Sequence, residues 1–92
     1  MIYEWDPEKA KSNLNKQGIS FEEAITVFRD PLAETYPDPD HSEEEIREIT
    51  IGHSEKGKVI FVSHIQRNKR TRVIGARKAT PSERKQYEES IS

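Results

Sequence analysis

The sequence predicts an α+β domain, with two helices first, an antiparallel sheet next and a third helix at the end. Apolar residues recur at helical spacing in the first third of the chain, whereas apolar and β-branched residues form short strand-like runs in the second half. The chain has 92 residues, of which 32% are hydrophobic and 35% charged, so it can bury only one thin core. We therefore expect a single domain over residues 1–92.

A short strand at residues 2–5 leads into the first predicted helix. The strand stops at Asp6, which is a favourable N-cap residue, and Pro7 suits the first helical position. The helix covers about residues 7–17, and Gly18 is placed to end it in the left-handed conformation. Local signals therefore define both ends of this helix.

A second helix is predicted directly after the first, with which it forms a helical hairpin. Ser20 and Glu23 have the spacing of a capping box, and apolar residues follow at helical intervals until Asp30-Pro31. The apolar faces of both helices need a sheet to cover them. The side chains that we expect to make this contact are Leu14, Phe21, Ile25 and Phe28.

The remaining segments predict an antiparallel meander of three or four strands and a last helix. The strands cover residues 32–36, 46–53, 58–66 and 70–79, and an acidic loop with two prolines occupies residues 37–45. Because the third of these strands is apolar on both faces, we expect it to be central, and Asn68-Lys69 supplies a two-residue turn after it. Thr80-Pro81-Ser82-Glu83 then begins the C-terminal helix.

The net charge of -2 conceals two oppositely charged halves. Residues 1–46 carry 4 basic and 12 acidic side chains, whereas residues 47–92 carry 11 basic and 5 acidic ones. Ten of the basic residues lie between Lys56 and Lys85, with Glu83 as the only acid among them. Such a stretch is typical of a surface that meets phosphate groups or an acidic partner.

Several classes of protein are excluded by what the sequence lacks. It has no cysteine, which excludes disulfides, thiol nucleophiles and cysteine zinc sites. It has no glycine-rich phosphate loop, GxSxG elbow or HExxH helix, so nucleotide hydrolysis, serine hydrolysis and metalloprotease chemistry have no support. The longest apolar run, residues 59–62, is too short for a membrane span, and the N-terminus lacks the features of a signal peptide. We expect a cytoplasmic protein that makes no membrane contact.

The acidic loop invites interpretation as a metal site, because His41 lies there among aspartates and glutamates. The loop matches no known ligand spacing, however, and Pro37 and Pro39 limit how its carboxylates can converge. We therefore expect neither a metal ion nor another cofactor.

A histidine and two arginines on the last two strands are the candidate catalytic groups. If the turn between these strands has two residues, Ile60 lies opposite Arg77, and His64 and Arg77 share a face. A register shift of one residue would place His64 on the face of Arg72 instead. An imidazole beside a permanent cation suits RNA cleavage, because the base removes the 2′-hydroxyl proton and the cation stabilises the phosphorane. A surface histidine at a strand end is the ordinary alternative.

Two sets of residues, one in each half of the chain, form a pattern known from a toxin family. The first set is Glu4-Trp5-Asp6-Pro7, Lys9, Asn13, residues 18–24, Phe28, Asp30-Pro31 and the acidic segment at residues 37–42. The second set is Arg47, Ile51-Gly52, Val62, Arg72, Ile74, residues 76–79, Glu83-Arg84 and Tyr87-Glu88. In their order and spacing, these residues resemble the BrnT-type toxins from residue 2 to about residue 89.

The resemblance implies a RelE-like α+β fold and a toxin of a type II toxin-antitoxin system. Such a toxin is a ribonuclease that blocks translation and is neutralised by a BrnA-type antitoxin with a ribbon-helix-helix region. We expect the cleavage to need no metal ion, because cations can stabilise the phosphorane instead. Operator DNA would then be bound only through the antitoxin. The sequence departs from the family pattern at Gln17, where many members have histidine, and at Gly75, where serine is common.

Nine side chains are therefore predicted to form the site. The predicted catalytic residues are His64, Arg72, Arg77, Glu83 and Tyr87, and the predicted RNA-binding residues are Lys9, Arg67, Lys69 and Arg70. Each also has an ordinary structural explanation: Lys9 as a solvated helix charge, Glu83 as a capping-box residue and Tyr87 as the anchor of the last helix. The alternative function is a non-catalytic binding module that only engages an antitoxin or nucleic acid.

Overall fold

The computed structural model describes residues 2–38, 40 and 45–91. Its elements, in chain order, are β1 (Ile2–Glu4), α1 (Pro7–Gln17), α2 (Phe21–Ile25), a 3₁₀ turn (Thr26–Arg29), β2 (Glu34–Pro37), β3 (Arg47–His53), β4 (Val59–Arg67), β5 (Arg70–Lys78) and α3 (Pro81–Ser90). The predicted α+β fold class is confirmed. The predicted second helix is shorter than its apolar pattern indicated, because its last turn tightens into the 3₁₀ turn.

The described strands form one sheet in the order β1-β5-β4-β3-β2. Strands β2 to β5 form an antiparallel meander, which confirms the predicted arrangement with four strands rather than three. The predicted central position of β4 is also confirmed. Strand β1 joins the opposite edge in parallel with β5, through three residue pairs from Ile2↔Arg70 to Glu4↔Arg72. This parallel pairing was not predicted from the sequence.

The core lies between the helical segment and one face of the sheet, which we call the covered face. Its buried residues are Ile19, Phe21, Ala24 and Val27 from the helical segment and Ile60, Val62, Val73 and Ala76 from the sheet. Trp5 packs edge-on against Phe21, and Tyr3 stacks on Phe28 at 5.3 Å. Leu14 was wrongly predicted to join this core, since it is 49% exposed and α1 contributes no buried residue.

Asn13 explains how α1 docks without burying a large side chain. Strand β1 pairs with β5 only as far as Arg72, so the outer edge of β5 beyond that point needs other hydrogen-bond partners. The Asn13 side chain accepts from the Ala76 amide at 3.1 Å and donates to the Ala76 carbonyl at 2.9 Å. It also donates to the Ile19 carbonyl at 2.9 Å, which ties the end of α1 to the edge of the sheet.

Helix α3 packs on the opposite face, which we call the open face, but covers only one end of it. Tyr87 is 3% exposed there and forms a small cluster with Ile51 and Val59. The capping box predicted at the start of α3 is present between Thr80 and Glu83. The remainder of the open face carries no helix from the described part of the chain.

A β-bulge separates the two ends of the β4–β5 hairpin. The turn end has the predicted register, with Arg67 opposite Arg70, and Asn68 adopts a left-handed conformation with φ 54°. The register shifts between Ser63 and His64, so that Arg77 pairs with Phe61 instead of Ile60. The prediction that His64 and Arg77 share a face is therefore wrong, because an extra residue in one strand moves all later side chains to the other face.

Candidate functional site

The open face presents three rows of side chains across its central strands. The rows follow from the strand register, in which each residue of β4 faces one of β3 and one of β5. From the hairpin turn toward α3, the rows are Arg47, Ile65 and Arg72; then Ile49, Ser63 and Gly75; then Ile51, Phe61 and Arg77. Two of these rows thus bring arginines onto the same surface, around a middle row with two small residues.

The small residues of the middle row form the floor of a cavity of about 310 Å³, which we call the central cavity. Its wall comes from two segments besides the sheet, the end of α1 and the segment after β2, and from Arg47 and Arg77 in the flanking rows. The lining residues that matter for its chemistry are Gln17, Asp38, Arg47, Phe61, Ser63, Gly75 and Arg77. This size lies within the range of small-ligand pockets.

Arg77 is held in a fixed orientation at the edge of the central cavity. Its two terminal nitrogens donate to the two carboxylate oxygens of Glu83 at 2.8 and 3.0 Å, and its guanidinium lies 4.5 Å from the centre of the Phe61 ring. The Arg77 side chain nevertheless remains 44% exposed. Arg77 therefore presents a preorganised cation to the cavity.

Glu83 serves both as a helix cap and as the partner of Arg77. Hydrogen bonds from Arg77 and from the Thr80 backbone lower the pKa of Glu83 to about 2. A carboxylate with this pKa is a poor proton acceptor near neutral pH. The geometry thus brings Glu83 to the site as a positioning group for Arg77.

Arg47 lines the other end of the central cavity, and Arg72 lies in the same row of the sheet on the far side of Ile65, next to the cavity. Both arginines pair in register with Ile65, so their strands lie about 10 Å apart, or two strand spacings. The Asp38 amide donates to the Arg47 carbonyl at 2.8 Å, which holds Asp38 beside this end. Neither Arg47 nor Asp38 was predicted as a site residue, although the alternation of β3 places Arg47 on the same face as Ile49 and Ile51.

Three of the predicted RNA-binding residues lie at the hairpin turn, beyond Arg72. Arg67 forms two hydrogen bonds with Glu45, at 2.8 and 2.6 Å, and Arg70 lies 3.7 Å from Glu4. Lys69 is exposed in the turn itself. The fourth, Lys9, lies on α1 and lines a neighbouring depression, which shares Asn13 and Gln17 with the central cavity. The structure therefore places these cations around the central cavity and not within it.

His64 lies on the covered face, away from both arginines with which it was predicted to act. Its side chain is 4% exposed, its Nε2 is 2.8 Å from the Thr50 hydroxyl, and its ring meets the edge of Phe28 at 5.0 Å. The Thr50 hydroxyl is in turn 2.7 Å from that of Thr35. Burial lowers the pKa of His64, against the opposing effect of the Glu48 charge. The sheet thus separates a neutral His64 from the central cavity.

Tyr87 is fixed by hydrogen bonds at the end of the open face. Its hydroxyl lies 3.1 Å from an Asp30 carboxylate oxygen and 3.2 Å from the Leu32 carbonyl, and can donate to either. Burial and the Asp30 carboxylate raise the pKa of Tyr87 to about 12. With Tyr36 and Glu83 it lines a second cavity of about 330 Å³, between β2 and α3. This arrangement agrees with Tyr87 as the anchor of α3.

The acidic loop that includes His41 lies mostly outside the described residues. Across residues 2–38, 40 and 45–91, no three His, Cys, Asp or Glu side chains converge as a metal site would require. No helix in the same part of the chain is both long enough and apolar enough to cross a membrane.

Residues 5–83 match a known protein family. That family is the ribonuclease toxin, BrnT, of type II toxin-antitoxin systems. The chain belongs to the BrnT family. The resemblance noted in the sequence is thereby confirmed. Membership makes the chain a ribonuclease toxin of a type II toxin-antitoxin system and implies an antitoxin as its partner.

A crystal structure at 1.1 Å resolution of the Brucella abortus ribonuclease toxin, BrnT, has the same fold. The two structures superpose with a TM-score of 0.68 at 21% sequence identity, over 87% of this chain and 99% of the Brucella chain. No curated protein sequence matches the chain. Gln17 and Gly75, the two departures from the family pattern, both line the central cavity.

Proposed function

We propose that this BrnT-family chain cleaves RNA at the central cavity, by attack of a ribose 2′-hydroxyl on the adjacent phosphate and without a metal ion. The supporting observation is that Arg47 and Arg77 line one cavity on the face that the N-terminal helices leave open, with Arg72 in the same row of the sheet as Arg47. A guanidinium stays charged at every physiological pH and fits phosphate oxygens. Three such groups can supply the charge that a metal ion supplies in other nucleases.

Arg77 is the group best placed to stabilise the transition state. Its contacts with Glu83 and Phe61 fix the guanidinium before substrate arrives, so little reorganisation is needed when charge develops on the phosphorane. Arg47, at the other end of the cavity, and Arg72, in the same row of the sheet, then act as contacts to the scissile or a neighbouring phosphate.

Asp38 is proposed as the general base, because its carboxylate lies in the wall of the central cavity and His64 lies behind the sheet. Asp38 accepts the 2′-hydroxyl proton as the bond from the 2′-oxygen to phosphorus forms. The bond from phosphorus to the 5′-oxygen breaks, and the leaving oxygen takes a proton from water. The products are a 2′,3′-cyclic phosphate and a 5′-hydroxyl end.

The test is cleavage of cellular RNA by the purified chain in EDTA, followed by analysis of the RNA ends. We expect cyclic phosphate ends, and we expect Asp38→Asn to lower the rate by about 100-fold or more, the usual scale for loss of a general base. Asp40→Asn is the matched control, because Asp40 is exposed and does not line the central cavity. RNA that is bound but never cut would favour the non-catalytic binding module instead.

We further propose that the toxin acts in the cytoplasm, where it blocks translation, and that a BrnA-type antitoxin controls it. The surface formed by residues 67–77 carries Arg67, Arg70, Arg72 and Arg77, so an acidic or amphipathic antitoxin segment would both attract and cover it. Only the complex should bind operator DNA, because the ribbon-helix-helix region belongs to the antitoxin. Tight operator binding by the isolated toxin, with a steep salt dependence, would contradict this assignment.

A further inference from the structure

Gly75 occupies the middle of β5 although neither its backbone nor its surroundings require a glycine. Its φ angle is not positive, unlike those of Gly18 and Gly57. A Cβ atom added at Gly75 would meet only the Asn13 side-chain oxygen, at an ordinary contact distance of 3.7 Å. At Gly52, by contrast, an added Cβ would approach Ala33 to 2.9 Å, so that glycine is needed for packing.

The open space above Gly75 leaves room for a ligand. Glycine weakens a strand interior, because it has no side chain to pack and loses more backbone entropy than other residues. A strand glycine therefore marks a bulge, a sharp bend or a point of close approach by a ligand, and Gly75 both borders the bulge and lines a cavity. Gly75 lies beside Ser63 in the floor of the central cavity, so that such a ligand would lie on the backbone of β5.

The other walls of the central cavity suit a flat, polar, aromatic ligand. The Arg77 guanidinium is stacked on Phe61 and still 44% exposed, which leaves part of its surface available for a second stacking partner. The exposed Gln17 side chain lies on the rim and carries both hydrogen-bond donors and an acceptor. Unpaired RNA bases are recognised in this way, by stacking on aromatic rings or guanidinium planes and by hydrogen bonds to their edges.

We infer that the central cavity holds one unpaired base of the RNA substrate, with Gly75 providing the space and Gln17 contacting the edge of the base. The inference rests on the proposed function and adds a determinant of sequence preference to it. Gly75 and Gln17 thereby select where the chain cuts, Asp38 acts in the cleavage, and Arg77 contributes to both, with its plane against the base and its N–H edge toward the phosphate.

The first experiment compares cleavage sites on a single-stranded RNA of randomised sequence. The wild-type chain should prefer one base or class of base beside the cut. Gly75→Leu fills the cavity, so it should lower kcat/KM on the preferred sequence by about tenfold or more and change the base preference. Gly75→Ala adds only one methyl group and should give a smaller change in the same direction, with the melting temperature preserved.

Gln17→Ala provides a test that cannot be attributed to misfolding, because the side chain is exposed at the end of α1. It should weaken the base preference and leave the melting temperature unchanged. Asn15→Ala is the matched control, since Asn15 is an exposed amide on the same helix that faces a different depression. Base preferences that are identical in wild type, Gly75→Leu and Gln17→Ala would overturn the inference while the proposed cleavage stands.

A binding measurement separates failure of this inference from failure of the proposed function. The four nucleoside 5′-monophosphates are titrated into the chain, and the backbone amide resonances of Gly75, Ser63 and Gln17 are followed by NMR. Shifts at these amides that differ among the four bases, and that Gly75→Leu removes, support a base site even if no RNA is cleaved. Shifts that are the same for all four nucleotides, or no shifts, overturn it.

Discussion

Strands β3, β4 and β5 form both faces of the sheet, but their polar side chains are buried on one face and line an open cavity on the other. On the covered face, His64 and Thr50 are buried, bond to each other and are sealed by Phe28. On the open face, Arg47 and Arg77 line a cavity that is open to solvent. In a strand, the side of the sheet to which a residue points decides whether its side chain stabilises the fold or meets a ligand.

The difference between the faces is also electrostatic. A histidine can be buried on the covered face because it can lose its charge, and burial lowers its pKa accordingly. An arginine cannot do so, since its pKa is too high, and it therefore needs water or a carboxylate such as that of Glu83. Substitutions on the covered face should thus change stability, whereas substitutions on the open face should change activity.

The largest effect is expected on the covered face, from Phe21→Ala. Phe21 is fully buried, so the loss of its ring should lower the free energy of unfolding by about 3–5 kcal/mol. Leu14→Ala, at the apolar residue of α1 that is 49% exposed, should cost less than about 0.5 kcal/mol. Urea unfolding of both variants measures the contrast, and equal losses would show that α1 packs differently.

The next largest effect is expected on the open face, from Arg77→Ala. It should lower the cleavage rate by about 100- to 1000-fold, the scale for one preorganised donor at developing charge. The melting temperature should change little, because the Arg77 and Glu83 side chains are 44% and 30% exposed. Arg84→Ala is the control, since Arg84 pairs with Glu88 on the exposed side of α3. Equal rates in the two variants would remove Arg77 from the catalytic site.

Asn13 joins the two faces at the edge of β5, and Asn13→Ala should have an intermediate effect. The variant leaves the amide and carbonyl of Ala76 without their partner, which should cost about 1–3 kcal/mol of unfolding free energy. Hydrogen exchange at the Ala76 amide should accelerate at the same time. Asn15→Ala on the same helix should change neither quantity.

The smallest effect is the pH dependence that His64 confers on stability. Because burial lowers the pKa of folded His64 below the ordinary value of 6.5, only the unfolded chain takes up a proton as the pH first falls below 6.5. The stability contribution is therefore lost below pH 6.5, down to the lowered pKa of the folded state, with a slope of at most about 1.4 kcal/mol per pH unit. Urea unfolding across this interval should show a smaller slope for His64→Gln. Equal slopes would show that His64 is not buried in neutral form.

The features that depend on neighbouring residues could be predicted from the amino-acid order. Helix α1 begins and ends where Asp6, Pro7 and Gly18 predict, because capping hydrogen bonds and the left-handed stop are local. The capping box of α3 and the turn at Asn68 follow from the same kind of short-range chemistry. Family membership could also be predicted, since it depends on the order and spacing of residues.

Which side chains meet depends on the tertiary structure. The bulge between Ser63 and His64 reverses the relation of His64 to Arg77, and an isolated strand glycine such as Gly75 indicates a bulge or a ligand contact without distinguishing them. Arg47 reaches the central cavity because β3 lies beside β4 in this register, and the hydrogen bond from the Asp38 amide to the Arg47 carbonyl holds Asp38 beside it. The alternation of apolar and polar side chains along a strand predicts which residues share a face of the sheet. It does not predict which face the helices will cover, because that depends on packing between residues distant in the chain.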